Sequence, residues 1–188
     1  MKNLHSPYVV EVYNYNDKSN EYVMEFMDCS LYDYITENIS TLDYNQKKNI
    51  ALQILKAFSY IHSKRLLHRD ISPKNVLIKR YDDVLVVKIS DFGLVRIPES
   101  NLTSFNTEVK GCLNDPNLWV VGFNNYDAVH ETFALTRLMQ YIMEGTIDIG
   151  KMVTPGLREF IAKGLSQKES NRFQNVDELT DAFKKLKF

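Results

Sequence analysis

Two pairs of short apolar runs stand out along the chain, and a polar stretch divides the members of each pair. In the first pair, an apolar run reaches Tyr13, residues 14–20 are polar, and residues 21–27 return to apolar side chains. In the second pair, the runs 76–79 and 84–89 are rich in β-branched residues and flank a polar turn. Such a pattern is typical of antiparallel hairpins. The sequence therefore predicts two β-hairpins that lie far apart along the chain.

Elsewhere, apolar side chains recur every three or four residues, which is the period of an amphipathic helix. The clearest stripe follows Asp43, which can cap a helix in a capping box with Gln46. The members of this stripe are Ile50, Ile54, Leu55, Phe58 and Ile61. We predict three more helices, over residues 131–145 with Gly145 at the end, from Thr154 with Pro155 in the first turn, and from Asn175 onwards.

Composition and charge narrow the class of protein. The chain has 188 residues, 44% of them hydrophobic and 12% aromatic, which is enough to build a sizeable core. Its net charge is −1, so we expect no nucleic-acid partner, and no apolar run approaches the roughly 20 residues that span a bilayer. The two cysteines, Cys29 and Cys112, lack metal-ligand spacing and indicate free thiols in the cytoplasm.

Candidate chemistry gathers at the ends of the second hairpin. Asn75 precedes its first strand and Asp91 follows its second, so folding the hairpin about its turn brings these two residues together. Asp70 lies five positions before Asn75, in a loop that Pro73 stiffens. Amide and carboxylate oxygens are ligands that Mg²⁺ prefers. Asp70 would then be free to orient a hydroxyl nucleophile or to accept its proton.

These residues carry a family resemblance. His68-Arg69-Asp70 with Asn75, followed by Asp91-Phe92-Gly93, resembles the catalytic and magnesium loops of the eukaryotic-type protein kinases. The resemblance implies an α+β, protein-kinase-like fold that binds ATP and Mg²⁺, and it favours serine/threonine over tyrosine specificity. The residues that it implies for catalysis are Asp70, Lys74 and Asn75, and those for the metal are Asn75 and Asp91.

The resemblance extends along residues 1–188, with 1–27 as a remnant of N-lobe strands and hinge and 28–188 as the C-lobe. The residues that it implies at the nucleotide are Met24 as gatekeeper, Glu25, Phe26 and Met27 in the hinge, and Ser30 and Leu77 beside the ligand. The polar segment 94–114 matches an activation loop. Its candidate phosphorylation sites are Thr103, Ser104 and Thr107, and Arg69 is a candidate partner for a phosphate there.

The chain also departs from the family pattern. It shows no glycine-rich loop, no strand lysine and no helix glutamate to hold that lysine, so we expect nucleotide binding to be weak or absent. It is either a natural kinase with half an N-lobe or a shortened reading frame. The sheet left uncovered predicts self-association or a partner.

Smaller departures affect single residues. The basic residue after the catalytic aspartate is Lys74 and not residue 72, which is serine. Asp115 stands near the position of the glutamate that would pair with Arg172, and we expect it to substitute. Glu131 replaces the aspartate that braces the catalytic loop in the family.

Three functions are compatible with the sequence. The first is an ATP- and Mg²⁺-dependent protein kinase, which the joint presence of Asp70, Asn75 and Asp91 supports. The second is a pseudokinase or regulatory binding module, which the missing strand lysine supports. The third is a small-molecule phosphotransferase of the aminoglycoside type, which Arg69 and the Asp-Phe-Gly motif argue against. The protein substrate is not indicated.

Overall fold

The computed structural model describes residues 6–16, 18–19, 21–82, 84–91, 113–152 and 154–187. Within these ranges the chain forms two small sheets and six α-helices. The strands are β1 (Val12–Asn16), β2 (Glu21–Met24), β3 (Cys29–Ser30), β4 (Val76–Tyr81) and β5 (Val84–Ile89). The helices are α1 (Leu31–Asn38), α2 (Tyr44–Ser63), α3 (Leu118–Val121), α4 (Ala128–Glu144), α5 (Pro155–Gly164) and α6 (Val176–Lys184). The mixed architecture confirms the predicted α+β class.

The first hairpin pairs β1 with β2 in an antiparallel sheet of two strands, with a register shift between Val12 and Asn14. Its strands are shorter than the pattern predicted, because β2 ends at Met24 and the segment 25–27 leaves the sheet. All four residues of β2 are exposed. This hairpin therefore adds little to the core.

The second hairpin joins a three-stranded antiparallel sheet in the order β3-β4-β5. The register from Val76 opposite Ile89 to Tyr81 opposite Val84 confirms the predicted pairing. β4 runs two residues further than the apolar run indicated and ends at Tyr81. The outer edge of β5 is extended by the chain at Val9, which forms a parallel bridge to Ile89.

Five of the helices pack around one large apolar cluster that also takes in β4 and β5, whereas α3 contributes Leu118 to a second, smaller cluster with Phe123 and Tyr126. α2 begins with the predicted capping box between Asp43 and Gln46, and its apolar stripe is buried. α4 is buried on nearly all sides, as expected for a helix in the middle of a domain. It ends at Gly145, whose φ of 72° lies in the left-handed region that glycine adopts most easily.

The last two predicted helices also form. α5 starts after Thr154 with Pro155 in its first turn, and Asn175 caps α6 by accepting a hydrogen bond from the N–H of Glu178. The pattern did not predict α1 or the four-residue α3 as separate elements. None of the described helices is long and apolar enough to cross a membrane.

Candidate active site

The loop between α2 and β4 holds Asp70 in a defined geometry. The side-chain amide of Asn75 donates hydrogen bonds to the backbone carbonyl of Asp70 (2.9 Å) and to its Oδ2 (3.1 Å). The N–H of Asn75 also donates to the carbonyl of Ser72 (3.0 Å). The loop is thus closed by its own polar groups, and the Asp70 carboxylate is oriented before any substrate arrives.

The predicted meeting of the hairpin ends is confirmed with an offset of one residue. The carbonyl of Asn75 accepts hydrogen bonds from both the N–H (2.9 Å) and the hydroxyl (3.0 Å) of Ser90, which precedes Asp91. The ring of His68 donates from Nε2 to the carbonyl of Ser90 (2.8 Å). Two independent contacts therefore fix the backbone that leads into Asp91 against the catalytic loop.

Glu131 of α4 holds the backbone of this loop through two hydrogen bonds. Its Oε1 accepts the N–H of His68 (3.0 Å), and its Oε2 accepts the N–H of Arg69 (3.1 Å). His62 at the end of α2 lies 2.9 Å from Oε1 through its Nε2. The glutamate therefore performs the role that the resemblance implied for an aspartate, in spite of its extra methylene. His62 was not predicted as part of the site, although its place in the last turn of the helix that leads into the loop was a signal.

Electrostatics keep Glu131 ionised although its side chain is fully buried. Burial alone raises the pKa of this carboxyl, but the hydrogen bond and charge of His62 and the N–H of His68 outweigh burial and leave the pKa below its ordinary value. A carboxylate that accepts several hydrogen bonds is also a strong acceptor. The brace is thus a charge-assisted contact between α2, α4 and the loop.

Two residues that flank the site have an unusual backbone. Arg69 has a φ of 69° and Asp91 has a φ of 57°, both in the left-handed region that costs non-glycine residues energy. Such conformations persist where the surroundings impose them, and they cluster at functional sites. Here the contacts of Glu131 and Ser90 supply that constraint.

The guanidinium of Arg69 is buried against aromatic rings. It lies 4.3 Å from the ring centre of Phe123 and donates to the carbonyl of the same residue (2.8 Å). A second ring, that of Tyr126, lies 5.8 Å away. The candidate phosphorylation sites Thr103, Ser104 and Thr107 lie outside the described residues, as do Phe92 and Gly93. The pairing of Arg69 with a phosphate stays a prediction.

The predicted ion pair between Asp115 and Arg172 forms in the interior, where both Arg172 Nη atoms approach the carboxylate. His130 and Glu169 lie beside this pair, and Asp115, His130 and Glu169 have the spacing of a metal site. However, His130 Nδ1 accepts the N–H of Asp127 (3.0 Å), which leaves the ring proton on Nε2, the nitrogen that faces both carboxylates. These donors fit an ion-pair network and not a metal centre.

The segment predicted as the hinge connects β2 to β3. Glu25 binds Lys88 of β5, with both carboxylate oxygens 2.7 Å from Nζ, a contact that the sequence analysis missed. Phe26 is exposed, and Met24 lies at the end of β2. Among the described residues, the backbone of Met27 makes no hydrogen bond, so its N–H and carbonyl are available to pair with an adenine.

The remaining predicted ligand residues lie on the neighbouring sheet. Ser30 and Leu77 are cross-strand partners in β3 and β4, so the structure does bring them together. Leu77 lies on the sheet face opposite the buried Val76 and Ile78. The hydroxyl of Ser30 caps α1, since it accepts the N–H of Asp33 (3.2 Å) and donates to its carboxylate (2.6 Å).

The donor set at the hairpin ends fits Mg²⁺. Asn75 uses its side-chain nitrogen to hold Asp70, which leaves the amide oxygen as a ligand atom, and Asp91 contributes an exposed carboxylate. Mg²⁺ usually takes one or two protein oxygens and completes its shell with water and phosphates. Both ligand atoms of this pair are oxygens, and neither residue offers a thiol or an imidazole.

A cavity of about 1080 Å³ lies elsewhere, beside α2 and β5. Its lining includes the amide side chains of Asn45, Asn49 and Gln53. Gln53 covers the edge of β5, because its amide pairs with the carbonyl of Leu85 (2.9 Å) and the N–H of Val87 (3.0 Å). None of the catalytic-loop side chains lines this cavity. The candidate site is therefore assigned from its chemistry and not from cavity size.

Comparisons with known proteins point to one family. The family model described as the protein kinase domain matches residues 1–112. The serine/threonine-protein kinase Nek8 of Danio rerio is 30% identical over 93% of this chain and 28% of its own length. A probable serine/threonine-protein kinase of Clostridium perfringens is 25% identical over 98% of this chain and 30% of its own length. The chain thus spans less than a third of each of these relatives.

A solved structure shows the same fold. The crystal structure of the Rad53 kinase domain and SCD2 in complex with AMPPNP aligns with a TM-score of 0.73 at 23% identity, and the alignment covers 98% of this chain and 75% of that one. Since the family model also matches more than half of the sequence, the chain belongs to the protein kinase family.

Proposed function

We propose that this chain transfers the γ-phosphate of ATP to a hydroxyl of a protein, with Mg²⁺ as cofactor and with serine or threonine as the acceptor. The observation that carries the proposal is the closed catalytic loop, in which Asn75 orients the Asp70 carboxylate while Glu131 holds the backbone at His68 and Arg69. A merely structural loop has no need of the Asp70 carboxylate together with the candidate metal-ligating oxygens of Asn75 and Asp91.

Each residue of the site would have a separate role. Asp70 accepts a hydrogen bond from the substrate hydroxyl, aligns its oxygen for attack and takes up its proton. Asn75 and Asp91 would hold Mg²⁺, which neutralises phosphate charge when it is bound. The free backbone groups of Met27 would pair with adenine, and Leu77 would pack under the ring. Met24, Glu25, Phe26 and Ser30 would also lie around the nucleotide, as the resemblance implies.

The test is phosphate transfer by the purified chain. Incubation with Mg·ATP and a mixture of serine, threonine and tyrosine peptides, followed by mapping of the modified residue, should show phosphate on serine or threonine. Asp70→Asn should reduce the rate by about 10³-fold or more, because the amide cannot take the proton but can still accept the hydrogen bond from Asn75. Equal incorporation by the wild type and this variant would refute the assignment of Asp70.

The alternative is a binding module without catalysis. It would follow from a chain that is folded by circular dichroism, binds nucleotide or a partner, and transfers no phosphate to any peptide. A cytoplasmic location and a partner at the exposed β1–β2 hairpin also stay proposals. Size-exclusion chromatography with light scattering measures the mass of the chain in solution and so tests whether it self-associates.

A further inference from the structure

Lys74 is a cation placed beside the catalytic aspartate. It lies in the loop that the Asn75–Asp70 hydrogen bond closes, and its side chain is exposed. Among the described residues, Lys74 belongs to no ion pair, whereas Lys79 and Lys88 on the neighbouring strands each hold a carboxylate. Its charge is thus not neutralised within the described part of the chain.

An aromatic shelf supports this ammonium group. Nζ of Lys74 lies 5.5 Å from the ring centre of Tyr32, and the Tyr32 ring stacks on Tyr141 of α4 with the planes 1° apart. The backbone is fixed as well, because the N–H of Tyr32 donates to the carbonyl of Pro73 (3.1 Å). A ring face attracts a cation without cancelling its charge. The shelf therefore positions the ammonium group and leaves it able to bind an anion.

We propose that Lys74, held on the Tyr32–Tyr141 shelf, selects protein substrates with an acidic residue close to the phosphorylated hydroxyl. This inference rests on the proposed phosphotransfer and names its substrate class. Lys74 lies only four residues after Asp70, which would bind the acceptor hydroxyl. An extended substrate advances about 3.3–3.6 Å per residue, so substrate positions within about three residues of the acceptor are within reach of the Lys74 side chain. The acidic side chain in the first turn of α1, Asp33, is already engaged, because its carboxylate accepts a hydrogen bond from the hydroxyl of Ser30 (2.6 Å).

This role differs from the catalytic role that the family resemblance implied for Lys74, in which the lysine would contact the transferred γ-phosphate. A lysine on the phosphate would affect every substrate alike, since the phosphate is common to all. A lysine that contacts the substrate would affect only peptides that carry, or lack, a charge at one position. The two roles therefore predict different patterns of kcat/KM across peptides.

The experiment uses matched peptides with one serine acceptor in a neutral background. Asp, Asn or Lys is placed in turn at each of the three positions before and after the serine. For the wild type we expect Asp to exceed Asn in kcat/KM by about fivefold at one position, the upper range for a single exposed ion pair. Raising the salt concentration should shrink this ratio.

Variants at Lys74 and at a control lysine decide the outcome. Lys74→Glu should invert the preference at that position toward Lys, and Lys74→Gln should bring the Asp-to-Asn ratio near one. Lys185→Glu makes the same charge change at the end of α6, which packs on α2, α4 and α5, and should keep the wild-type pattern. If Lys74→Glu lowers kcat equally for all peptides, or leaves the Asp-to-Asn ratio unchanged, the inference is wrong.

A binding assay separates this inference from the proposed function. Fluorescence anisotropy with labelled Asp and Asn peptides measures Kd without phosphate transfer. If no peptide is phosphorylated but Kd still favours Asp and loses that preference in Lys74→Gln, the phosphotransfer proposal fails and the recognition by Lys74 stands. Equal Kd values for both peptides together with equal kcat/KM values would overturn the recognition while leaving phosphotransfer intact.

Discussion

The catalytic loop and the β1–β2 hairpin are both short segments of irregular or marginal structure, yet the chain holds them very differently. His68 and Arg69 are each 1% exposed, and Glu131 binds both of their backbone N–H groups from a fully buried position. By contrast, all four residues of β2 are exposed, and isolated two-stranded sheets are marginally stable. Polar ties to the larger sheet come from Glu25, which binds Lys88, and from the backbone that leads into β1, where the N–H of Val10 donates to the carbonyl of Ile89 (3.0 Å).

This contrast shows what fixes the candidate active site. The loop depends on side chains from α2 and α4, and not on the strands that precede it in sequence. Removing a buried polar contact leaves its partners unpaired away from water, whereas an exposed group regains water. We therefore expect mutations to divide sharply between the two regions.

The largest effect is expected at the buried ion pair between Asp115 and Arg172. Arg172→Ala leaves the buried Asp115 carboxylate without its partner and should lower the free energy of unfolding by about 3–5 kcal/mol. The matched surface pair Lys163–Glu178 is partly exposed, and Lys163→Ala should cost less than about 1 kcal/mol. Urea unfolding of both variants checks the difference, and similar costs would show that burial does not control the strength of these pairs.

A somewhat smaller effect is expected for the brace itself. Glu131→Gln replaces one carboxylate oxygen with an NH2 group, which donates and cannot accept, so the N–H of either His68 or Arg69 loses its acceptor. We expect a loss of about 3 kcal/mol in the free energy of unfolding, measured by urea. Glu159→Gln on the exposed side of α5 is the control and should change stability by no more than about 0.5 kcal/mol.

The same glutamate predicts a pH dependence. Because its pKa is lower in the folded chain than its ordinary value of about 4.3, its contribution to stability is complete above that value and is lost as the pH falls through the folded pKa. The stability gap between wild type and Glu131→Gln should be constant near neutral pH and shrink below about pH 4. Urea unfolding across this range measures the gap, and a gap that widens in acid would contradict the brace.

The smallest effect is expected in the hairpin. Val23 is 59% exposed, so Val23→Thr should change the free energy of unfolding by less than about 0.5 kcal/mol. Hydrogen exchange should also be much faster for the amides of β2 than for those of α4, because few buried contacts protect them. Equal protection of the two elements would show that the hairpin is held by contacts as strong as those of the loop.

The sequence predicts most of the elements that follow local rules. The capping box at Asp43 and the apolar stripe behind it predicted α2, and two β-branched apolar runs on either side of a polar turn predicted the pairing of β4 with β5. The spacing of Asp70, Asn75 and Asp91 was enough to place them at one end of that hairpin. These features depend on neighbours in sequence, which is why a pattern can reveal them.

Contacts between distant residues were harder to predict. His62 meets Glu131 across 69 positions, and Lys88 meets Glu25 across 63, and neither pair leaves a periodic signal. The pairing of Asn75 with Ser90 rather than Asp91 depends on where the strands end, which is the least certain feature of a pattern. The early end of β2 has the same origin, since exposed strands lack the buried face that fixes strand length.

The most direct test of the account is whether the catalytic loop and Asp91 together hold a nucleotide with Mg²⁺. Thermal unfolding of the wild type with Mg·ATP at about a hundredfold excess over Kd should show a stabilisation of about 2.7 kcal/mol. For a chain of this size this corresponds to a rise in Tm of roughly 5–10 °C. The rise should require Mg²⁺ and be absent in Asp91→Asn. No shift in the folded wild type, or an equal shift in Asp91→Asn, would contradict the assignment of this site.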